Sequence, residues 1–405
     1  MKQQGLAANE RIQSLDIIRG IALLGIVLAN MSFFKSQAIM SEVMLVQGYV
    51  LPDGGFDAAA RLFTTAFIDG KFYPMFSMLF GLGFYIFYHR LLQKDVNATR
   101  VFVRRLVFLI VIGLVHLFMI WSGDILFTYG ITGFLLLAFV SRTPKTILIW
   151  AVSILVSATV LLTLLNVLGG IGIQLSKSAG LSSLSEMKAY DTALAEQMAG
   201  GGYAEVWLAR LPDVLLMFFN AFMVIPGILP LFLLGLYFGK KGMFKNAQEY
   251  ARVWKKIWVH SLWAGLLGTI VVTALIHNFT PLPSAVGFGL AQGLRTLTGP
   301  ILMLFYVSSL VLLTQKETWQ RMLKPFANAG RMALTNYLMQ SIVLVFIFYG
   351  FGFGLYGQVG EGVGFLLGVG LFVVQVILST LYLKKFNQGP MEFLWRKWTY
   401  GRSNG

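Results

Sequence analysis

The sequence predicts an all-α, polytopic integral membrane protein with about ten transmembrane helices and both termini cytoplasmic. Three observations predict it. The 405 residues are 57% hydrophobic and only 12% charged, with a mean hydropathy of +0.73, more apolar sequence than a soluble core of this size requires. Ten apolar runs are each long enough to cross a bilayer, which takes roughly 17–25 residues. The basic residues fall in alternate connections between those runs, as the positive-inside rule demands.

The runs lie at about 15–35, 66–88, 102–121, 124–141, 145–170, 212–238, 256–276, 296–315, 332–350 and 361–383. No small-residue cleavage site follows the first, so it is read as a retained helix and not a signal peptide. The third and fourth are joined only by Trp121, Ser122 and Gly123 and form a tight hairpin. Ten crossings place 24 of the 32 Lys and Arg residues on the side of the N-terminus and 5 on the other, with Arg19, Arg61 and Lys71 in or beside helices. The net charge of +15 is therefore a topology signal and an attraction to anionic lipid, not a nucleic-acid footprint. The chain is one membrane domain, 1–405, with an extracytoplasmic insert at 171–211 and a cytoplasmic tail at 384–405. Within the insert, SEMKAYDTALAEQM reads as a short amphipathic helix, and GGG at 200–202 as a flexible joint, together forming a surface cap. PMFSMLFGLGF and PLFLLGLYFG look faintly alike, too weakly for a repeat, since small residues are common in membrane helices. The absence of cysteine excludes disulfides, thiolate metal sites and a cysteine nucleophile.

Charges inside apolar runs are costly and mark either pairing or a site. Asp16 and Arg19 share a helix face in SLDIIRGIALLGIVLAN, where they either pair at the membrane end or help to line a polar pocket. Lys71 opens the second run, where the helix dipole disfavours a cation and a partner or anion is expected. In RRLVFLIVIGLVHLFMIWSGDILFTYG, His116 lies about 16 Å beyond Arg105, and the hairpin folds Asp124, Thr128 and Tyr129 back toward it. A histidine near a carboxylate is a candidate general base with an orienting partner; the structural alternative is a buried histidine satisfied by a hydroxyl. His89, His260 and His277 sit at helix ends, and no pair has metal-ligand spacing, so no metal is expected. Thr335, Asn336, Gln340 and Ser341 form a polar stripe that either glues helices together or lines a cavity. Glu392 and Arg396, four apart among aromatics, suit an interfacial amphipathic helix.

These blocks resemble the YeiB-like bacterial membrane proteins, the domain of unknown function 418. The resemblance spans nearly the whole chain: Ser14-Leu15-Asp16 with Arg19-Gly20; Lys71-Phe72 with Phe76-Ser77 and Phe80-Gly81; Arg104-Arg105, His116 and Gly123-Asp124-Ile125-Leu126 with Tyr129; Ala333-Leu334-Thr335-Asn336-Tyr337 with Gln340-Ser341; and Gly389-Pro390 with Glu392, Trp395 and Arg396. The first block is also similar to the opening of heparan-α-glucosaminide N-acetyltransferase and, more distantly, of the acyltransferase-3 membrane enzymes. That similarity implies transfer of an acyl group from a cytosolic acyl-CoA to an acceptor across the membrane. In those enzymes an outer loop after the first block bears the catalytic histidine. Residues 36–70 here contain none, which departs from that pattern; His116, on a different helix, would have to substitute.

The resulting expectation is a bacterial inner-membrane, acyltransferase-like protein. His116, Asp124 and Tyr129 are the catalytic candidates. Arg19, Arg104, Arg105, Arg331 and Arg396 surround a cytoplasmic mouth for the phosphates of an acyl-CoA donor. Asp16, Lys71, Asn336, Gln340 and Glu392 form a structural polar cluster. The expected partners are membrane lipids, an acyl donor and a small-molecule or glycan acceptor. The rival is a transporter of a small solute or lipid that uses the same groups as a polar pathway, and a third reading is a lipid-binding or scaffold protein without turnover.

Overall fold

The computed structural model describes residues 12–37, 42–43, 45–47, 54–94, 96–180 and 184–401. Lys2, Arg11 and Arg402, counted in the charge asymmetry, lie outside them, as do the outermost parts of the tail and residues 38–41, 44 and 48–53 of the first connection.

Helix α1 (Gln13–Lys35) is the axis of the bundle. It contains no proline, places Asp16 in its first turn and Lys35 in its last, and so agrees with the helix dipole at both ends. Ile17, Ile18, Ala22 and Leu23 are wholly buried. Helix α2 (Gly55–Phe63) runs through a wide π-turn, Thr64–Ile68, and a left-handed Gly70 into α3 (Phe72–Leu92). Helix α4 (Ala98–Val115), capped by Asn97, ends in a second π-turn, His116–Ile120. Extended backbone at Trp121 then leads to α5, Leu126–Leu136. Next comes α6 (Pro144–Ser178), started by Thr143 and Pro144, which continues well past the expected end at 170. The insert folds into α7 (Leu184–Gly200) and α8 (Tyr203–Ala209). The second half comprises α9 (Leu211–Met223), α10 (Ile225–Lys241), α11 (Ala251–Ile276), α12 (Ser284–Leu313), α13 (Glu317–Met322), α14 (Lys324–Arg331), α15 (Ala333–Phe348), α16 (Glu361–Tyr382) and α17 (Pro390–Tyr400).

All ten expected runs are helical. Among the described residues, seven helical spans are long and apolar enough to cross a membrane, and nine if each of two bent helix pairs is one span. The difference from ten has two sources. Helix α5 is short, and the run at 212–238 is broken at Val224 into α9 and α10, just before Pro226. The bent pairs are α8 with α9, at 53°, and α14 with α15, at 81°. Helix α12 begins at Ser284, twelve residues ahead of the expected start at 296, so Arg295 lies within the helix and not in a loop.

Small residues set the closest crossings. A Cβ on Gly81 would overlap the Phe232 carbonyl, and one on Gly235 would overlap that of Met78. The two stretches that look alike in sequence therefore pack on each other, α3 against α10, at small-residue distance. Gly20 and Gly330 do the same where α14 crosses the start of α1. Helix α6 lies at the periphery and faces outward with aliphatics such as Leu168, 65% exposed, as a lipid-facing helix must.

Candidate functional site

The π-turn at the end of α4 turns His116 inward. Its Nδ1 lies 2.9 Å from Asp124 Oδ1, and both side chains are completely buried. The other carboxylate oxygen accepts from the backbone N–H of Phe127 at 2.7 Å, so Asp124 is held by the first turn of α5 while it holds the imidazole. The five residues between them, 121–125, leave these two elements no choice but to be neighbours. The opposite ring nitrogen, Nε2, is buried and has no hydrogen-bond partner among the described residues. The ring is flanked by Tyr337, at 5.3 Å between centroids, and by Trp121 at 6.3 Å. Trp121 in turn stacks on Phe34 near the end of α1 at 3.8 Å. The Tyr337 hydroxyl donates to Gly123 O at 3.3 Å, tying α15 to the hairpin.

Tyr129 is not in direct contact with the pair. Its hydroxyl bonds Ser77 Oγ at 2.7 Å and donates to Tyr73 O at 3.2 Å, which makes a polar link between α5 and α3. Sequence reasoning placed Tyr129 with His116 because the hairpin folds back. The helix rotation that aims it at Ser77 is set by packing on Phe80 and Phe232.

Sequence reasoning missed a clamp from the insert. Trp207 Nε1 donates to Phe118 O at 2.8 Å and Tyr203 to Met119 O at 2.7 Å. Arg210, 4% exposed, donates to Phe118 O at 2.9 Å and to Ile120 O. Helix-terminal carbonyls need partners, and here α8 and the Arg210 that follows it at the α8–α9 bend supply them. Gly350 N donates to Met198 O at 2.8 Å, closing the insert onto the loop after α15.

A second group of buried charges sits toward the far end of α1. Lys35 Nζ pairs with Glu361 at 3.2 Å, and Arg61 with the same carboxylate at 3.5 Å. Lys71, 3% exposed, donates to Thr65 O at 2.9 Å. Glu42, Asp69 and Arg295 are within electrostatic reach of one another, and Arg295 Nε is buried without a hydrogen-bond partner among the described residues. Burial pushes the Glu42 carboxyl above its ordinary value, and Arg295 opposes the rise. The sequence signal was the presence of Arg61 and Lys71 in or beside helices.

The five residues expected as one polar cluster fall into several groups, of which one holds Asn336 and Gln340 together through Gln375. Asp16 pairs with Arg19 at 2.9 Å. Lys71 belongs to the charges just described. Asn336 donates to Ala329 O and to Ser379, each at 3.0 Å, and accepts from Gln375 through its carbonyl at 2.9 Å. Gln340 bonds Gln375 at 2.9 Å. Glu392 caps α15, accepting from Leu334 N at 2.7 Å, Thr335 N at 3.2 Å and Thr335 Oγ1 at 2.6 Å. The bonds of Asn336 and Glu392 just given are to other helix contacts. The arginines separate too. Arg105 is sandwiched between Trp395, at 3.8 Å, and Phe87, at 4.7 Å. Arg331 donates to Asn387 O at 3.0 Å. No cluster of three or more His, Cys, Asp or Glu residues with metal-binding geometry occurs among the described residues.

Helices of spanning length around a buried His–Asp pair define an all-α polytopic membrane protein with an ionisable intramembrane centre. A family model described as "Protein of unknown function (DUF418)" matches residues 238–402. "Uncharacterized protein YxaH" of Bacillus subtilis (strain 168) is 33% identical over 98% of this chain and 96% of its own length. "Uncharacterized protein YeiB" of Escherichia coli (strain K12) is 26% identical over 96% of each chain. The chain belongs to the DUF418 family of YeiB-like proteins.

Proposed function

We propose that the protein transfers an acyl group from a cytoplasmic acyl-CoA-type donor to a hydroxyl or amine of a small-molecule or glycan acceptor, with His116 as general base. The observation that carries this reading is the free, buried Nε2 of an imidazole whose other nitrogen is held by Asp124. With the Nδ1 proton directed to Asp124, Nε2 presents its lone pair inward, which is the arrangement a base with an orienting partner requires. The acceptor would attack the thioester carbonyl as its proton passes to Nε2. The carbon–sulfur bond then breaks, and the imidazolium returns the proton to the leaving thiolate.

Phosphate recognition falls in this reading to Arg19, part-exposed beside Asp16 at the basic end, which the positive-inside asymmetry assigns to the cytoplasm of a bacterial inner membrane. Because His116 is wholly covered, access requires a movement, and in this reading it is release of the nearby clamp formed by Tyr203, Trp207 and Arg210 on the carbonyls of its π-turn. A transporter reading is favoured by one observation, the second buried group of charges around Asp69, Lys71 and Arg295, which suits an ion relay.

The test exploits the lack of cysteine: any thiol released from acyl-CoA is the only thiol in the assay. Purified protein given acyl-CoA and candidate acceptors should release CoA, and His116→Ala should slow that release by about 10²–10⁴-fold without changing the melting temperature shift caused by the donor. Release that persists at the parental rate in His116→Ala would refute the assignment.

A further inference from the structure

Two adjacent arginines at the start of α4 have opposite fates. Arg105 turns inward and is spent between Phe87 and Trp395. Arg104 turns outward, and among the described residues its guanidinium has no ion-pair or hydrogen-bond partner. The C-terminal helix α17 is fastened alongside. Trp395 Nε1 and Trp398 Nε1 each donate at 3.0 Å, to the carbonyls of Arg105 and Arg104 respectively. Between α4 and α17 lies a groove of about 530 Å³. Its floor is aliphatic and aromatic, including Val107, Phe108, Ile112 and Leu394, and its only charged lining groups are Arg104 and Lys397. The Lys397 ammonium likewise bonds no described residue, and the described lining contains no carboxylate.

We propose that this groove is a specific site for an anionic phospholipid of the inner leaflet, with one acyl chain along α4 and the phosphate at Arg104 and Lys397. The dimensions agree. From Val103 to Ile112 the groove follows α4 for about 14 Å at 1.5 Å per residue, and its volume lies within the roughly 300–1,000 Å³ of small-molecule sites. The chemistry agrees as well. A guanidinium fork and an ammonium suit a phosphate, and basic pockets beside helices at the cytoplasmic face attract anionic head groups. The ordinary alternative is snorkelling of two cations toward water above a lipid-facing surface. That alternative gives a preference for anionic lipid that does not depend on the apolar gap. A helix too short to span, pinned by two tryptophans so as to leave an apolar gap beneath two cations that bond no described residue, gives a preference that is lost when the gap is filled. The proposal is independent of the acyl-transfer reading, since no turnover enters it.

The experiment uses the purified full-length chain in neutral detergent. Phosphatidylglycerol or phosphatidylcholine is added, with native mass spectrometry and thermal melting as readouts. Retention of phosphatidylglycerol over phosphatidylcholine by on the order of tenfold is expected from two surface cations, together with a larger rise in melting temperature. The paired substitution Arg104→Ala with Lys397→Ala should bring the two lipids level while leaving the melting temperature in phosphatidylcholine unchanged. Val107→Trp keeps both cations and fills the groove; it should remove the excess too, and it answers the question if the paired variant does not fold. Equal retention of the two lipids by the parent, an excess that survives both variants, or an equal shift from inorganic phosphate alone would each overturn the proposal.

Discussion

Two polar regions inside the bundle share residue chemistry and differ in how completely they are bonded. In the first, Asn336, Gln340, Gln375 and Ser379 join α15 to α16. The Asn336 side chain reaches Ala329 O and Ser379, and the Gln375 side chain bridges Gln340 and the Asn336 carbonyl. In the second, His116 and Asp124 join α4 to α5, and Nε2 is left over. Polar groups in hydrocarbon are expensive unless paired, so the first arrangement accounts for itself as helix glue. The second carries an unspent nitrogen whose burial costs stability, and an orphan of that kind calls for a chemical role.

The largest effect that separates the two regions is expected at Asp124. Asp124→Asn can still accept from Phe127 N but no longer stabilises an imidazolium and favours the wrong tautomer. Thiol release should fall by on the order of 10³–10⁴-fold, with the melting temperature close to that of the parent. A large loss of stability with activity retained would move the dyad into the structural class. A smaller effect, on stability this time, is expected at Glu392. Three hydrogen bonds end on its carboxylate at the start of α15. Glu392→Ala should lower stability by about 1–3 kcal/mol, read by melting in detergent, with thiol release retained. The smallest is Gln375→Leu, which removes two interhelical bonds and should cost about 0.6–1.7 kcal/mol. If thiol release fell more than melting in that variant, the stripe would be part of the site and the distinction drawn here would fail.

The clamp extends the comparison. Helix α4 ends in a π-turn whose carbonyls are met by Tyr203, Trp207 and Arg210, from a segment more than 80 residues away. The glue region is completed by bonds among α14, α15 and α16 and from Gln340 to Leu23 O on α1, whereas the π-turn that carries His116 is met by an insert folded back onto its carbonyls. A site that opens must be closed by something removable, and an insert with a bend of 53° at its joint is a better candidate than a packed helix.

Much of the architecture was legible in the sequence. Apolar runs of spanning length identify membrane helices because backbone in lipid must satisfy itself internally, which leaves the helix as the economical solution for such runs. The pairing of His116 with Asp124 was legible for a similarly local reason: three linking residues oblige the two segments to be neighbours. The number of spans was less legible, since hydropathy does not see where Pro226 breaks a run or where α14 turns 81° into α15. What only the tertiary structure decided is which polar group meets which. Tyr129 went to Ser77, Glu392 to the start of α15, Arg105 to two aromatic faces, and Lys71 to the far group of charges. Each of those choices depends on how a helix is rotated about its own axis. In a bundle that rotation is set by side-chain packing and by glycine contacts such as Gly81 on Phe232 and Gly235 on Met78, which join residues more than 150 positions apart and leave no mark in local composition.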